Sequence, residues 1–90
     1  MAQDHLLRSS SVVQKVKYGN RRVEYRTFDA VGTDVLRLSF KPSRVTAGGT
    51  PLAERNDLKK ESYTVQPVAG DYYVVRVRHT RSNEIALSGS

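Results

Sequence analysis

Between Val12 and Leu87 the large apolar residues recur mainly at every second position, the period of a strand with one buried and one wetted face. Val12, Val16 and Tyr18 share one parity and Lys15 and Lys17 the other, and Gly19–Asn20 then offers two residues suited to a tight hairpin loop. With Tyr18 set opposite Arg21, Val16 meets Val23, Gln14 meets Tyr25 and Glu24 lies across from Lys15, so the apolar sides of both strands coincide. Phe28–Asp34 reads as a turn because Asp29, Gly32 and Asp34 are bend-forming types. Val35–Lys41 alternates most cleanly, with Leu36, Leu38 and Phe40 inward and Arg37, Ser39 and Lys41 outward, until Pro42 stops it. A short edge-like hairpin follows around Val45 and Ala47, with Gly48–Gly49 as its turn and Leu52 returning to the core.

Ala53–Glu61 has helix-compatible composition but one large apolar residue, Leu58, so it reads as a loop with at most a single turn. Tyr63, Val65 and Val68 predict a strand interrupted at Pro67, and Ala69-Gly70-Asp71 turns it into an antiparallel partner, the long strand Tyr72–Thr80. There Tyr73, Val75, Val77 and His79 form the core set, while Tyr72, Val74, Arg76, Arg78 and Thr80 face out. Arg81–Asn83 closes a turn into a last strand at Glu84–Ser88 with Ile85 and Leu87 buried. The pattern predicts an all-β protein: one antiparallel β-sandwich of six to seven strands with immunoglobulin-like order, a small β-barrel being the alternative. Residues 11–88 carry the domain, and flexible segments are expected at 1–10 and 89–90.

Ninety residues make one domain, read as monomeric, and 38% hydrophobic with 27% charged residues is the composition of a globular chain. The absence of cysteine excludes disulfides, a thiol nucleophile and thiolate zinc sites. His5 and His79 lie too far apart for a metal motif, so no metal or cofactor is expected. The first eleven residues contain only the apolar pair Leu6–Leu7, short of a secretory hydrophobic stretch, and no membrane span is expected; the compartment stays open. Ser9–Ser11 and Ser43 sit in no nucleophile-elbow pattern, and the glycines lack phosphate-loop spacing, so a noncatalytic protein is expected.

Fifteen basic against nine acidic residues give a net charge of +6, and nine of the fifteen fall in the first 45 residues with only four acids. Lys15, Lys17, Arg21, Arg22 and Arg26 stand with Glu24 alone in twelve residues, and a twisted sheet would present Lys15, Lys17, Arg22 and Arg26 on one surface. Such a surface suits phosphates or an acidic polysaccharide, although basic residues also guard a solvated strand against edge pairing. Tyr72, sharing parity with Arg76 and Arg78, is the second candidate ligand surface, a ring beside two guanidinium groups. Asp29, Gly32 and Asp34 supply too few oxygens for calcium and read as an Asx-type turn, and His79 as a partly buried histidine at the edge of the core.

The run VLRLSFKPSRVTAGGTPL at Val35–Leu52, followed by YTVQPVAGDYYVVRVRHTRSNEIAL, resembles the accessory β-sandwich modules appended to bacterial extracellular proteins and carbohydrate-active enzymes. In those modules a strand ending in Lys-Pro or a similar pair leads into a V-x-x-x-G-x-x-L hairpin, here Val45, Gly49 and Leu52. The resemblance implies a noncatalytic, immunoglobulin-like accessory or interaction module, extracellular, in contact with an acidic glycan or a protein partner. The basic first hairpin and the absence of tryptophan depart from sugar-binding members, so no binding residue is carried over. The alternative function is a small basic nucleic-acid-binding domain.

Overall fold

The computed structural model describes residues 5–9, 12–55 and 61–89, and within them the chain is built of strands and connections. The strands are β1 (His5–Ser9), β2 (Val13–Gly19), β3 (Arg22–Thr27), β4 (Gly32–Leu38), β5 (Arg44–Ala47), β6 (Thr50–Pro51), β7 (Ala53–Glu54), β8 (Ser62–Val68), β9 (Tyr72–His79) and β10 (Glu84–Ser88). They form two five-stranded sheets, one in the order β1-β4-β9-β8-β7 and the other β2-β3-β10-β5-β6. Both sheets end in free edges, so the closed barrel is excluded. No helix among the described residues is long and apolar enough to cross a membrane.

Alternation puts most of the core where it was expected, but of the first strand's set only Val16 packs against it, Val12 and Tyr18 being exposed. Val23 and Tyr25 of β3, Val45 and Ala47 of β5, and Ile85 and Leu87 of β10 meet Leu36 and Leu38 of β4, Phe40, Tyr63 of β8, and Val75 and Val77 of β9 in one buried cluster. Each fully buried aliphatic side chain contributes on the order of 1.5–3 kcal/mol, which is how two short sheets stay together without a cross-link. Gly48 and Gly49 both take positive φ (60° and 83°), the conformation that a two-residue hairpin between Ala47 and Thr50 requires.

Several local expectations are corrected. The first hairpin turns at Asn20–Arg21, with Gly19 opposite Arg22, so Val16 faces Tyr25, Tyr18 faces Val23 and Lys17, not Lys15, faces Glu24. Arg21 accepts φ 54° at the turn, and an irregularity between Val13 and Lys15 absorbs the shift. His5–Ser9, assigned to a flexible N-terminal segment, instead pairs with β4 as an edge strand. Ala53–Glu54, assigned to a loop, forms a parallel strand on β8, while residues 56–60 of that loop lie outside the described residues, as does Ser90 of the 89–90 tail. Pro67 does not interrupt β8: it sits opposite Tyr73, beyond the reach of β7, where the missing N–H leaves no ladder bond unmade. These additions bring the strand count to ten among the described residues rather than six or seven.

Leu87 is fully buried on β10, between β3 and β5. Leu87→Ala is expected to lower unfolding free energy by roughly 2–5 kcal/mol, and Val12→Ser, at a position 70% exposed, by under about 0.5 kcal/mol, both read from urea denaturation midpoints.

Candidate functional site

Polar chemistry gathers in three places. The first is interior. β4 begins at Gly32, two residues before the predicted turn ends, so Asp34 lies on the same inward parity as Leu36 and Leu38 and is fully buried. This corrects the reading of Asp34 as a turn residue. His79, expected to be partly buried, is also completely enclosed.

Asp34 Oδ2 accepts hydrogen bonds from Tyr25 Oη at 2.7 Å and His79 Nε2 at 2.9 Å, and Oδ1 accepts one from Ser9 Oγ. His79 Nδ1 donates to the Ala30 carbonyl at 2.8 Å. Both imidazole nitrogens thus face acceptors, which calls for a proton on each and makes the pair an imidazolium and a carboxylate. Burial opposes charge on both groups. For His79 the opposition is outweighed by Asp34 and the Ala30 and Ser82 carbonyls, raising its pKa above the ordinary 6.5; for Asp34, by hydrogen bonds from His79, Ser9 and Tyr25, lowering it below 3.8. Burial first, and then Asp34, push the Tyr25 hydroxyl well above its usual range, so it remains a donor. The Ser9 hydroxyl points at the carboxylate and not at the imidazole, so the nucleophile-to-imidazole bond of an acyl-transfer site is not made.

The second place is the outer face of the β2-β3-β10-β5 sheet. Registers align Lys15 with Arg26 and Glu84, and Lys17 with Glu24, Ala86 and Thr46. The small side chains of Ala86 and Thr46 lie between the basic rows and the Gly48–Gly49 turn and floor a groove of about 460 Å³. Arg22 pairs with Glu24 at 2.6 Å and Arg26 approaches Glu84 at 4.0 Å, whereas Lys15 and Lys17 have no carboxylate within ion-pair distance among the described residues. Arg22 chiefly, with Lys17 and Lys15 adding to it, draws the Glu24 pKa down. Tyr25 borders the groove only from below, its ring being buried in the core.

The third place is the outer face of the other sheet, where Tyr72, Arg76 and Arg78 stand on β9 as the parity implied. The predicted ligand residues therefore divide between opposite faces: Lys15, Lys17, Arg22 and Arg26 on one, Tyr72, Arg76 and Arg78 on the other. Sequence reasoning missed Arg37, whose guanidinium lies 5.0 Å from the Tyr72 ring centre. Its outward parity was legible, but its closeness to Tyr72 depends on the β4–β9 register. Asp34 was missed because the strand was started too late; an inward Asp and an inward His on neighbouring strands is the signal that would have found the pair.

No protein-family model, curated protein or solved structure matches the chain.

The buried pair predicts a stability profile. The raised pKa of His79 means that its contribution is complete below pH about 6.5 and is lost as pH rises through the folded-state value. The lowered pKa of Asp34 means that its contribution is complete above pH about 3.8 and is lost as pH falls through its folded-state value. Denaturation midpoints followed from pH 3 to 9 are expected to peak between these limits, and His79→Gln is expected to flatten the alkaline limb.

Proposed function

We propose that the chain is a noncatalytic β-sandwich interaction module that docks an acidic glycan in the groove of the β2-β3-β10-β5 sheet. Lys15 and Lys17 carry this reading: two cations without carboxylate partners among the described residues, beside a trough floored by small side chains. Two stacked sheets support the immunoglobulin-like comparison, but β10, the last strand, lies between β3 and β5, whereas the immunoglobulin order leaves its last strand at an edge.

A linear anionic polymer fits a groove better than a compact metabolite does. The lysines supply point charge that any sulfate, carboxylate or phosphate satisfies, and Arg22 and Arg26, held by Glu24 and Glu84, frame the walls. Sequence-tolerant binding of single-stranded nucleic acid relies on bases stacking on aromatic rings, and no ring faces this groove. A glycan is therefore favoured over nucleic acid, and an extracellular setting follows from that choice of ligand.

Titration with heparin-type oligosaccharide, neutral glycan and oligo-dT at two salt concentrations tests the reading. The sulfated oligosaccharide is expected to bind, with affinity falling as salt rises, and Lys15→Ser/Lys17→Ser to weaken binding in this groove about tenfold. Tighter binding of oligo-dT would transfer the function to nucleic acid, and binding unaffected by the double substitution would reject the groove.

A further inference from the structure

The opposite face carries cations that the groove does not use. Arg76 and Arg78 are two residues apart on β9, a backbone spacing of roughly 7 Å, and Arg37, opposite Val74, continues the row on β4 with its guanidinium turned toward Tyr72, 5.0 Å from the ring centre. None of the three has a carboxylate within ion-pair distance among the described residues. The Nε atoms of Arg37 and Arg78 are buried and have no hydrogen-bond partner. Their stems are thus held by packing rather than by acceptors.

Edge protection does not explain this cluster. β9 is central, hydrogen-bonded to β4 along one side and β8 along the other, and has no open ladder to guard. Tyr72, which the sequence offers as a stacking platform, has its ring covered by the Arg37 guanidinium on one side, with the Gly70 backbone close by. It serves as a positioning residue that orients Arg37. A face with a row of arginines along β4 and β9, and with its one tyrosine ring already against Arg37, suits forked contacts to the successive oxyanions of a polymer rather than base stacking.

We infer that Arg37, Arg76 and Arg78 form a second oxyanion site, on the face opposite the groove, that takes the sulfate or carboxylate groups of an acidic glycan through guanidinium forks. The site shares with the groove reading only its ligand class. A bound oxyanion supplies acceptors to guanidinium groups that have no carboxylate within ion-pair distance among the described residues, Glu61 of the same face being taken up by Thr80 N and Oγ1 at 2.9 Å.

The test uses a heparin-type sulfated tetrasaccharide and two variants. Lys15→Ser/Lys17→Ser weakens the groove; Arg37→Lys/Arg76→Lys/Arg78→Lys keeps the charge of the other face and removes its forks. In the first variant the ¹⁵N-edited Nε–H signals of Arg37 and Arg78 are expected to shift on titration as one tetrasaccharide binds. Adding the three lysines to that variant is expected to weaken binding at least tenfold, with an unchanged circular dichroism spectrum. If the combined variant does not fold, Arg76→Lys in the groove-weakened background, which leaves the Arg37–Tyr72 contact intact, is expected to weaken binding at least threefold. Unmoved Nε–H signals, or lysine variants binding as tightly as their parent, would overturn the site, and tighter binding of oligo-dT at this face would overturn its glycan assignment. Failure of the groove reading looks different: the lysine-to-serine variant then binds as the unaltered protein does, with the arginine signals still moving.

Discussion

The carboxylate of Asp34 has no exposed surface, and an ion in that position is tolerated only if each of its oxygens is supplied with donors, because desolvation without partners costs several kcal/mol. The donors come from separate parts of the chain: Ser9 on β1, Tyr25 on β3 and His79 on β9. Tyr25 belongs to one sheet and Asp34, His79 and Ser9 to the other, so the cluster ties the two layers at one point while the aliphatic core holds them elsewhere. A one-residue slip of β3 or β9 would turn Tyr25 or His79 outward and strand the carboxylate. Hydrophobic burial is indifferent to which valine meets which leucine; this cluster is not. It selects one register, and His79 extends the constraint to the 28–31 connection through Ala30.

That selection governs the surface as well. Side chains alternate along a strand, so a register that keeps Val77 and His79 inside puts Arg76 and Arg78 outside, and one that buries Val23 and Tyr25 exposes Arg22, Glu24 and Arg26. The two exteriors then differ in how charge is handled. Around the groove Glu24 and Glu84 neutralise two of the four cations, and β2, with its lysines, is an edge strand that gains protection from them. On the other face Arg37, Arg76 and Arg78 have no carboxylate within ion-pair distance among the described residues, and Glu61, next to the Ser62 that pairs with Arg78, accepts from Thr80 N and Oγ1.

Alternation was legible wherever a strand carried three or more inward apolar residues, as in Leu36–Leu38–Phe40 and Tyr73–Val75–Val77, and the all-β class followed from it. The Gly48–Gly49 and Gly70–Asp71 turns were legible because their positive φ values restrict residue choice. Illegible were the features set by tertiary pairing. The expected and observed registers of the first hairpin differ by two residues and turn Val23 and Tyr25 inward alike, so parity does not choose between them, and the turn falls on Arg21 at φ 54°. β1, β6 and β7 are short and exist because a neighbouring strand offers a ladder, not because their own sequences alternate. The basic residues could be named from sequence, but their division between two faces required sheet membership, which parity does not encode.

The strand order explains why the groove is a property of the finished fold. β10 arrives last in the chain yet lies between β3 and β5, contributing Ile85 and Leu87 inward and Ala86 outward. Its borders are sealed by bonds from distant segments: Ser43 N donates to the Ser88 carbonyl at 2.8 Å, Gly48 N to that of Glu84 at 2.8 Å, and Gly89 N to that of Arg21 at 2.9 Å. Until β10 inserts, β3 and β5 have open edges facing each other, and Lys15 and Lys17 stand beside no floor. The small residue at Ala86 leaves the trough between the basic row and the Gly48–Gly49 turn unfilled. A larger side chain there would keep the sheet and close the groove, so the space belongs to the choice of residue and not to the fold itself.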